Sequence, residues 1–330
     1  MSGLKEQIER LCTYVAPSGA ERELQEALLD LVRDIADEVW MDTLGNGIAR
    51  KHGSGPHVML TAHADEPGVM VIHIDDDGFL RLISIGALEA RELIGRRVEF
   101  VGGLTGVVQV ETKVDIEHVG FDHLYVDIGA ENRDEALEKV KIGLSGVVVD
   151  PVVSLTRYRL AGRALDNRVG CAVAASAFRA LAANGRNVSV VFTAQGAVGA
   201  RGARPAAVQL EPDLAFVVDA APAGDAPGCR RMELKLGQGP AIKVMDGTSI
   251  IPLDLKRRME TVAEKNGIPL QYEVWPRGVS EAGSVQLAMA GIPTAGISYP
   301  ARYVGAVSTV VDLRDAEAAV RLLTAVGAEE

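Results

Sequence analysis

The chain has 330 residues, enough for two domains of ordinary size. Hydrophobic residues make up 48% and charged residues 24%, a globular composition, and the formal net charge of −11 argues against a nucleic-acid backbone as partner. Aromatic residues are only 4%, so alanine, valine and leucine must do most of the packing.

Cys12, Cys171 and Cys229 lie far apart with no CxxC spacing, which predicts a reducing cytoplasm and no structural zinc knuckle. The segment Met1 to Gln7 is polar and lacks the apolar core of a signal peptide. Val169 to Ala183 is the greasiest helical stretch, but Arg179 interrupts it and a bilayer span takes roughly 20 apolar residues. A cytoplasmic protein with no membrane partner is expected.

In chain order, Leu4, Ile8 and Leu11 recur at helical spacing. Ser18-Gly19-Ala20-Glu21 has the form of a capping box ahead of Leu24, Ala27, Leu28 and Leu31, so a second helix is predicted there. Glu38 to Asp42 reads as a strand, and Gly45-Asn46-Gly47 as a turn into Ile48-Ala49-Arg50. His57 to Ala62 reads as a buried strand that delivers His63-Ala64-Asp65 at its carboxyl end, where α/β sheets open onto their active-site crevice.

From about Gly68 to Leu155 short β-branched runs recur between turn signals, and only Asp134 to Lys141 suggests a helix. After Arg163 helices and strands alternate again. Helices are predicted over 167–182, 199–209, 252–266, 283–289 and 314–326, and strands over 188–193, 214–219, 270–275 and 294–298. This alternation predicts an α/β fold with a mainly parallel mixed sheet sandwiched by helices. Residues 1–66 and 160–330 form that domain, and 67–159 form a small β-rich domain inserted into it.

Three residues stand out as candidate metal ligands. His63 and Asp219 close apolar strand patterns, and Asp166 opens a helix in Ala164-Leu165-Asp166-Asn167-Arg168. One imidazole and two carboxylates suit zinc, cobalt or manganese. A ligating histidine also needs an acceptor on its other ring nitrogen, and Asp65 can supply it. Taken singly, Asp166 also reads as a helix cap, Asp219 as a polar strand end and His63 as an ordinary hydrogen-bonded histidine. No histidine follows His123, so any chemistry needing one from the carboxyl-terminal half is excluded. That removes a serine hydrolase built on Gly278-Val279-Ser280-Glu281-Ala282, which also lacks the second glycine of a nucleophile elbow.

The whole chain resembles the M42 metallopeptidases, the tetrahedral (TET) aminopeptidases, some of which carry glutamyl aminopeptidase or endoglucanase names. The resemblance is carried by Pro17-Ser18-Gly19-Ala20-Glu21, Asp42-Thr43-Leu44-Gly45-Asn46-Gly47, His63-Ala64-Asp65-Glu66-Pro67-Gly68 and Val126-Asp127-Ile128-Gly129-Ala130. It continues through Ala164-Leu165-Asp166-Asn167-Arg168, Ala223-Gly224-Asp225-Ala226-Pro227-Gly228, Gly237-Gln238-Gly239-Pro240 and Pro300-Ala301-Arg302-Tyr303. It implies a zinc-aminopeptidase-like α/β domain, an inserted dimerisation domain, and self-assembly into dimers and up to a dodecamer.

The resemblance also implies two metals bridged at Asp166, one of them bound by His63 and Asp219 as well. The family's strand end reads Gln-Glu-Glu before Val-Gly, the first glutamate being the general base and the second a metal ligand. Here it reads Gln195-Gly196-Ala197 before Val198-Gly199. The family's late histidine falls at Gly305. One divalent ion and an empty second site are therefore expected, with no normal peptidase activity. That leaves an assembly subunit, with itself or an active M42 paralogue, or a binder of a peptide or small molecule. The alternative is an active one-metal aminopeptidase or related hydrolase with Glu281 as substitute base.

Overall fold

The computed structural model describes residues 2–112, 114–229 and 232–329. Helices α1 (Ser2–Leu11) and α2 (Arg22–Asp30) precede strands β1 (Glu38–Met41), β2 (Gly47–Lys51) and β3 (Ser54–His63). There follow β4 (Gly68–Ile74), β5 (Leu80–Ile85), α3 (Ala90–Leu93), β6 (Arg97–Phe100), β7 (Thr105–Val110), β8 (Leu124–Asp127), α4 (Arg133–Lys139) and β9 (Ser145–Val148). Next come β10 (Val153–Ser154), β11 (Arg159–Gly162), α5 (Leu165–Ala183), β12 (Arg186–Thr193), α6 (Ala203–Leu210) and β13 (Leu214–Pro222). The chain ends with β14 (Ala241–Asp246), α7 (Leu253–Lys265), β15 (Gln271–Trp275), α8 (Glu281–Gln286), β16 (Thr294–Arg302), β17 (Thr309–Asp312) and α9 (Leu313–Ala328).

The large sheet runs β1-β2-β12-β3-β13-β16-β17-β11-β10, with β14 and β15 branching from β16. Its centre, β12-β3-β13-β16, is parallel, and most flanking pairs are antiparallel. A parallel centre is buried on both faces, which is why β3, β12 and β13 read as unbroken apolar runs. On one face lies α5, whose Val169, Ala172, Val173, Phe178 and Leu181 are buried against the sheet and α9. The other face carries α6 and α8, with Ala203, Ala207, Leu210 and Val285 buried. Among the described residues no helix is long and apolar enough to cross a membrane.

Between β3 and β10 the chain closes a barrel in the order β4-β5-β8-β7-β6-β9. Alternating side chains such as Val69, Val71, Leu80, Leu82, Val98, Phe100, Val108 and Val126 fill its interior. Closure leaves no free edge for a foreign strand, which suits a small unit whose exposed positions include Ile72, Ile83 and Val107.

The capping box does not form as expected. Helix α2 starts after Glu21 without a side-chain cap, and the Ser18 hydroxyl donates instead to Asp65 Oδ2 at 2.5 Å. Glu21 Oε1 accepts from the Gly19 and Gln195 amides. Both residues of the motif serve long-range contacts that a local pattern cannot reveal. Strands β14 and β17 are further elements the pattern did not predict.

His57, the first buried residue of β3, has its Nε2 2.8 Å from Ser189 Oγ. Burial, helped by the nearby Arg50 charge, pushes its pKa down from 6.5 to about 4. The unfolded chain therefore binds a proton between those values that the folded chain refuses, so stability falls as pH drops from about 6.5 to 4, by up to ~3 kcal/mol. In His57→Gln protein this part of the acid slope should vanish from urea-denaturation curves. An unchanged slope would place the acid sensitivity elsewhere.

Candidate metal centre

The site is built from strand ends. His63 terminates β3, and Thr193 of β12 pairs beside it in parallel register. Asp219 lies on β13, the other neighbour of β3. Asp166 comes from the first turn of α5, where its backbone leaves helical geometry at φ −90°, ψ 101°. The following residue fixes that departure. Asn167 Nδ2 donates to Val218 O at 2.8 Å, and the single hydroxyl hydrogen of Tyr299 is shared between Asn167 Oδ1 and Leu165 O, each 2.9 Å away. Tyr299 and Asn167 thus hold the ligand-bearing turn against the sheet, a role that no sequence pattern marked.

His63, Asp166 and Asp219 bring ligand atoms within 4.8 Å of one another. His63 Nε2 is 3.5 Å from Asp166 Oδ1 and 3.7 Å from Asp219 Oδ1. Asp166 Oδ1 is buried with no hydrogen-bond partner, a costly arrangement unless a cation completes it. Nδ1 of His63 hydrogen-bonds the Asp65 backbone carbonyl at 3.2 Å and lies 3.3 Å from Asp65 Oδ1, so the ring turns Nε2 toward the aspartates, as ligating histidines do. Burial disfavours a charged His63, but Asp166, Asp219 and Asp65 outweigh it and raise its pKa well above 6.5. These three residues fit one divalent cation.

Asp65 is fully buried and held on every side. Besides His63 and Ser18, it accepts from the Gly196 amide at 2.8 Å and the Ala197 amide at 2.9 Å. Burial works against its charge, yet these donors keep its pKa below the usual value. The loop that supplies the two amides is pinned in turn by Asn46. Its Oδ1 accepts from Ala194 N at 2.8 Å, and its Nδ2 donates to Gly202 O at 3.0 Å. What reads as a turn residue is a cross-link beneath the site.

A cavity of about 440 Å³ opens over the cluster. His63, Asp166 and Asp219 line it together with Gly196, Ala197 and Gly305, whereas Asp65 stands outside the lining, behind His63. Glu281 also lines it, and burial raises its carboxyl to about 7. Both Glu281 oxygens are engaged, Oε2 by the Thr61 hydroxyl at 3.1 Å and Oε1 by the Thr193 hydroxyl. Trp275, Val279 and Val304 form apolar wall. Asp225, another acid of the matched segments, pairs instead with Arg302 at 2.8 Å.

A family model described as M42 glutamyl aminopeptidase matches residues 45–322. The chain belongs to the M42 peptidase family. Among curated relatives of this M42 chain, the lysyl aminopeptidase of Pyrococcus furiosus is 34% identical over 314 residues, covering 92% of this chain and 90% of that protein. Aminopeptidase APDkam598 of the archaeon Desulfurococcus kamchatkensis superposes with a TM-score of 0.94 at 32% identity, over 100% of this chain and 95% of that one. The Pyrococcus horikoshii TET1 peptidase, which can assemble into a tetrahedron or a large octahedral shell, gives a TM-score of 0.90 at 29% identity, over 99% of this chain and 100% of that one. M42 membership implies a divalent metal, for which His63, Asp166 and Asp219 are the candidate ligands.

Proposed function

We propose that this M42 chain binds one divalent ion, zinc, cobalt or manganese, through His63, Asp166 and Asp219, and that it hydrolyses peptides poorly or not at all. It then serves as an assembly subunit, with itself or an active M42 relative, or as a binder of a peptide or small molecule. The observation that carries this reading is the lining of the cavity, where Gly196, Ala197 and Gly305 offer neither carboxylate nor imidazole. Three protein ligands with an open position suit a single ion, which when bound polarises a carbonyl and acidifies water. A missing general base typically forfeits 10²–10⁴-fold in rate, and a missing second ion removes a clamp besides.

The alternative is a one-metal aminopeptidase or related hydrolase using Glu281 as base. In its favour, Glu281 lines the cavity with a pKa of about 7. Against it, both carboxylate oxygens are tied to Thr61 and Thr193, so none points free toward a substrate. We also assign residues 67–159 to a dimerisation domain inserted between 1–66 and 160–330, and the protein to the cytoplasm.

Elemental analysis after dialysis against each metal, paired with hydrolysis of amino-acid amides, tests the reading. About one equivalent per chain and no turnover is expected. Two equivalents, or turnover as fast as that of an active aminopeptidase and abolished in Asp166→Ala protein, would sink it.

A further inference from the structure

The residues that replace the family's carboxylates do more than leave room. A Cβ placed on Gly196 would lie 2.3 Å from His63 Cβ, 2.7 Å from His63 Cγ and 3.0 Å from Asp65 Oδ1. His63 Cβ and Cγ are the root of that side chain, so they cannot swing aside as the tip of a long side chain would. Only glycine fits this backbone. The same segment turns two consecutive amides, Gly196 N and Ala197 N, onto the two oxygens of Asp65. Across the cavity Gly305 has a φ of +88°, which side-chain-bearing residues rarely adopt.

We propose that Gly196 and Ala197 act through their backbone, clamping the Asp65 carboxylate beside His63. The glycine at 196 then supports the centre and is not merely a lost general base. Gly196 is a positioning residue. Its lack of a Cβ lets the loop close on His63, its amide fixes Asp65, and Asp65 holds the His63 ring with Nε2 toward Asp166 and Asp219. The Ser18 hydroxyl completes the clamp from the other side of Asp65. This inference rests on the one-ion reading above and goes further, since it holds that a carboxylate cannot simply be put back at 196.

The test uses the full chain loaded with cobalt. Equivalents per chain, the dissociation constant and the visible absorption band of the bound ion are read for wild type first. Two equivalents in the wild type would refute the one-ion reading itself. Given one equivalent there, the Gly196→Glu protein is expected to bind cobalt more weakly than wild type and to hydrolyse no amide. Gly196→Ala should weaken cobalt binding about 10–100-fold, as loss of a partner behind a metal ligand does, and should shift the absorption band. Wild-type affinity in Gly196→Glu, or an unchanged dissociation constant and band in Gly196→Ala, would overturn the inference while leaving the one-ion reading intact. Should either variant fail to fold by circular dichroism, Ser18→Ala decides. It removes one clamp donor without adding an atom and should weaken cobalt binding about 10-fold. Unaltered affinity there would equally overturn the clamp.

Discussion

Asp166→Ala protein should fold normally and hold no stoichiometric divalent ion. The fold expectation follows from how the turn is secured. Asn167 and Tyr299 carry the hydrogen bonds that fix residues 165–167, whereas Asp166 Oδ1 has no hydrogen-bond partner to lose. The binding expectation follows from the ligand count. Without Asp166 only His63 and Asp219 remain of the cluster, and the ion loses one of the two negative charges that neutralise it. The drop in affinity should exceed the 10–100-fold that losing an outer partner costs. Stability provides a second readout. An ion present at 100 times its dissociation constant stabilises the folded chain by about 2.7 kcal/mol, a gain visible as a higher melting temperature and absent from the variant. Asp166→Asn separates charge from geometry, because it keeps an oxygen ligand while leaving the ion under-neutralised, and it should bind more weakly than wild type but better than Asp166→Ala. Full metal loading of Asp166→Ala would mean that the ion sits elsewhere.

Much of the fold was legible because its centre is parallel and buried. Strands such as β3, β12 and β13 carry apolar residues toward both faces, and α5 is apolar nearly all round because it is packed between the sheet and α9. Strand β14 escaped notice for the opposite reason. Ala241-Ile242-Lys243-Val244-Met245-Asp246 has a lysine in the middle, and nothing local shows that its partner comes from β15. The ligand set was visible because His63 and Asp219 end apolar runs. Its support was not. Ser18 reads as a helix cap, Asn46 as a turn and Tyr299 falls just past a predicted strand, yet each reaches a partner at least 47 residues away in sequence. The main-chain path at Gly196 lies further still from any pattern, since it shows only as the space a Cβ would lack.

Lys243→Met should destabilise the chain more than any surface change, and in a pH-dependent way. Lys243 Nζ lies 2.5 Å from Glu273 Oε1, with both side chains almost wholly buried, and the Ser298 hydroxyl donates to Glu273 Oε2 at 2.5 Å. The lysine can cross β16 at all only because residue 296 is glycine, where a Cβ would fall 2.7 Å from Lys243 Cβ. Ser298 is also the register partner of Asp219, so this ion pair lies beneath the candidate metal ligand. Burial raises the Glu273 pKa against the pull of Lys243, and the Asp219 charge pushes it the same way. Removing the ammonium leaves a buried carboxylate without its counter-charge, which costs about 3–5 kcal/mol. The sign of the pH effect follows. With its folded pKa raised further, Glu273 takes up a proton in the folded state at pH values where the unfolded chain, near 4.5, has lost it. The variant therefore gains stability on acidification from pH 7 toward 4.5, relative to wild type, and loses it as pH rises. Lys243→Met/Glu273→Leu removes both charges and should recover most of the loss, because an apolar pair of similar size is often neutral or better. Urea midpoints at pH 7 and pH 5 check all three expectations. A loss below about 1 kcal/mol at pH 7, or one that does not shrink at pH 5, would show that Lys243 is not what lets Glu273 stay ionised beside Asp219.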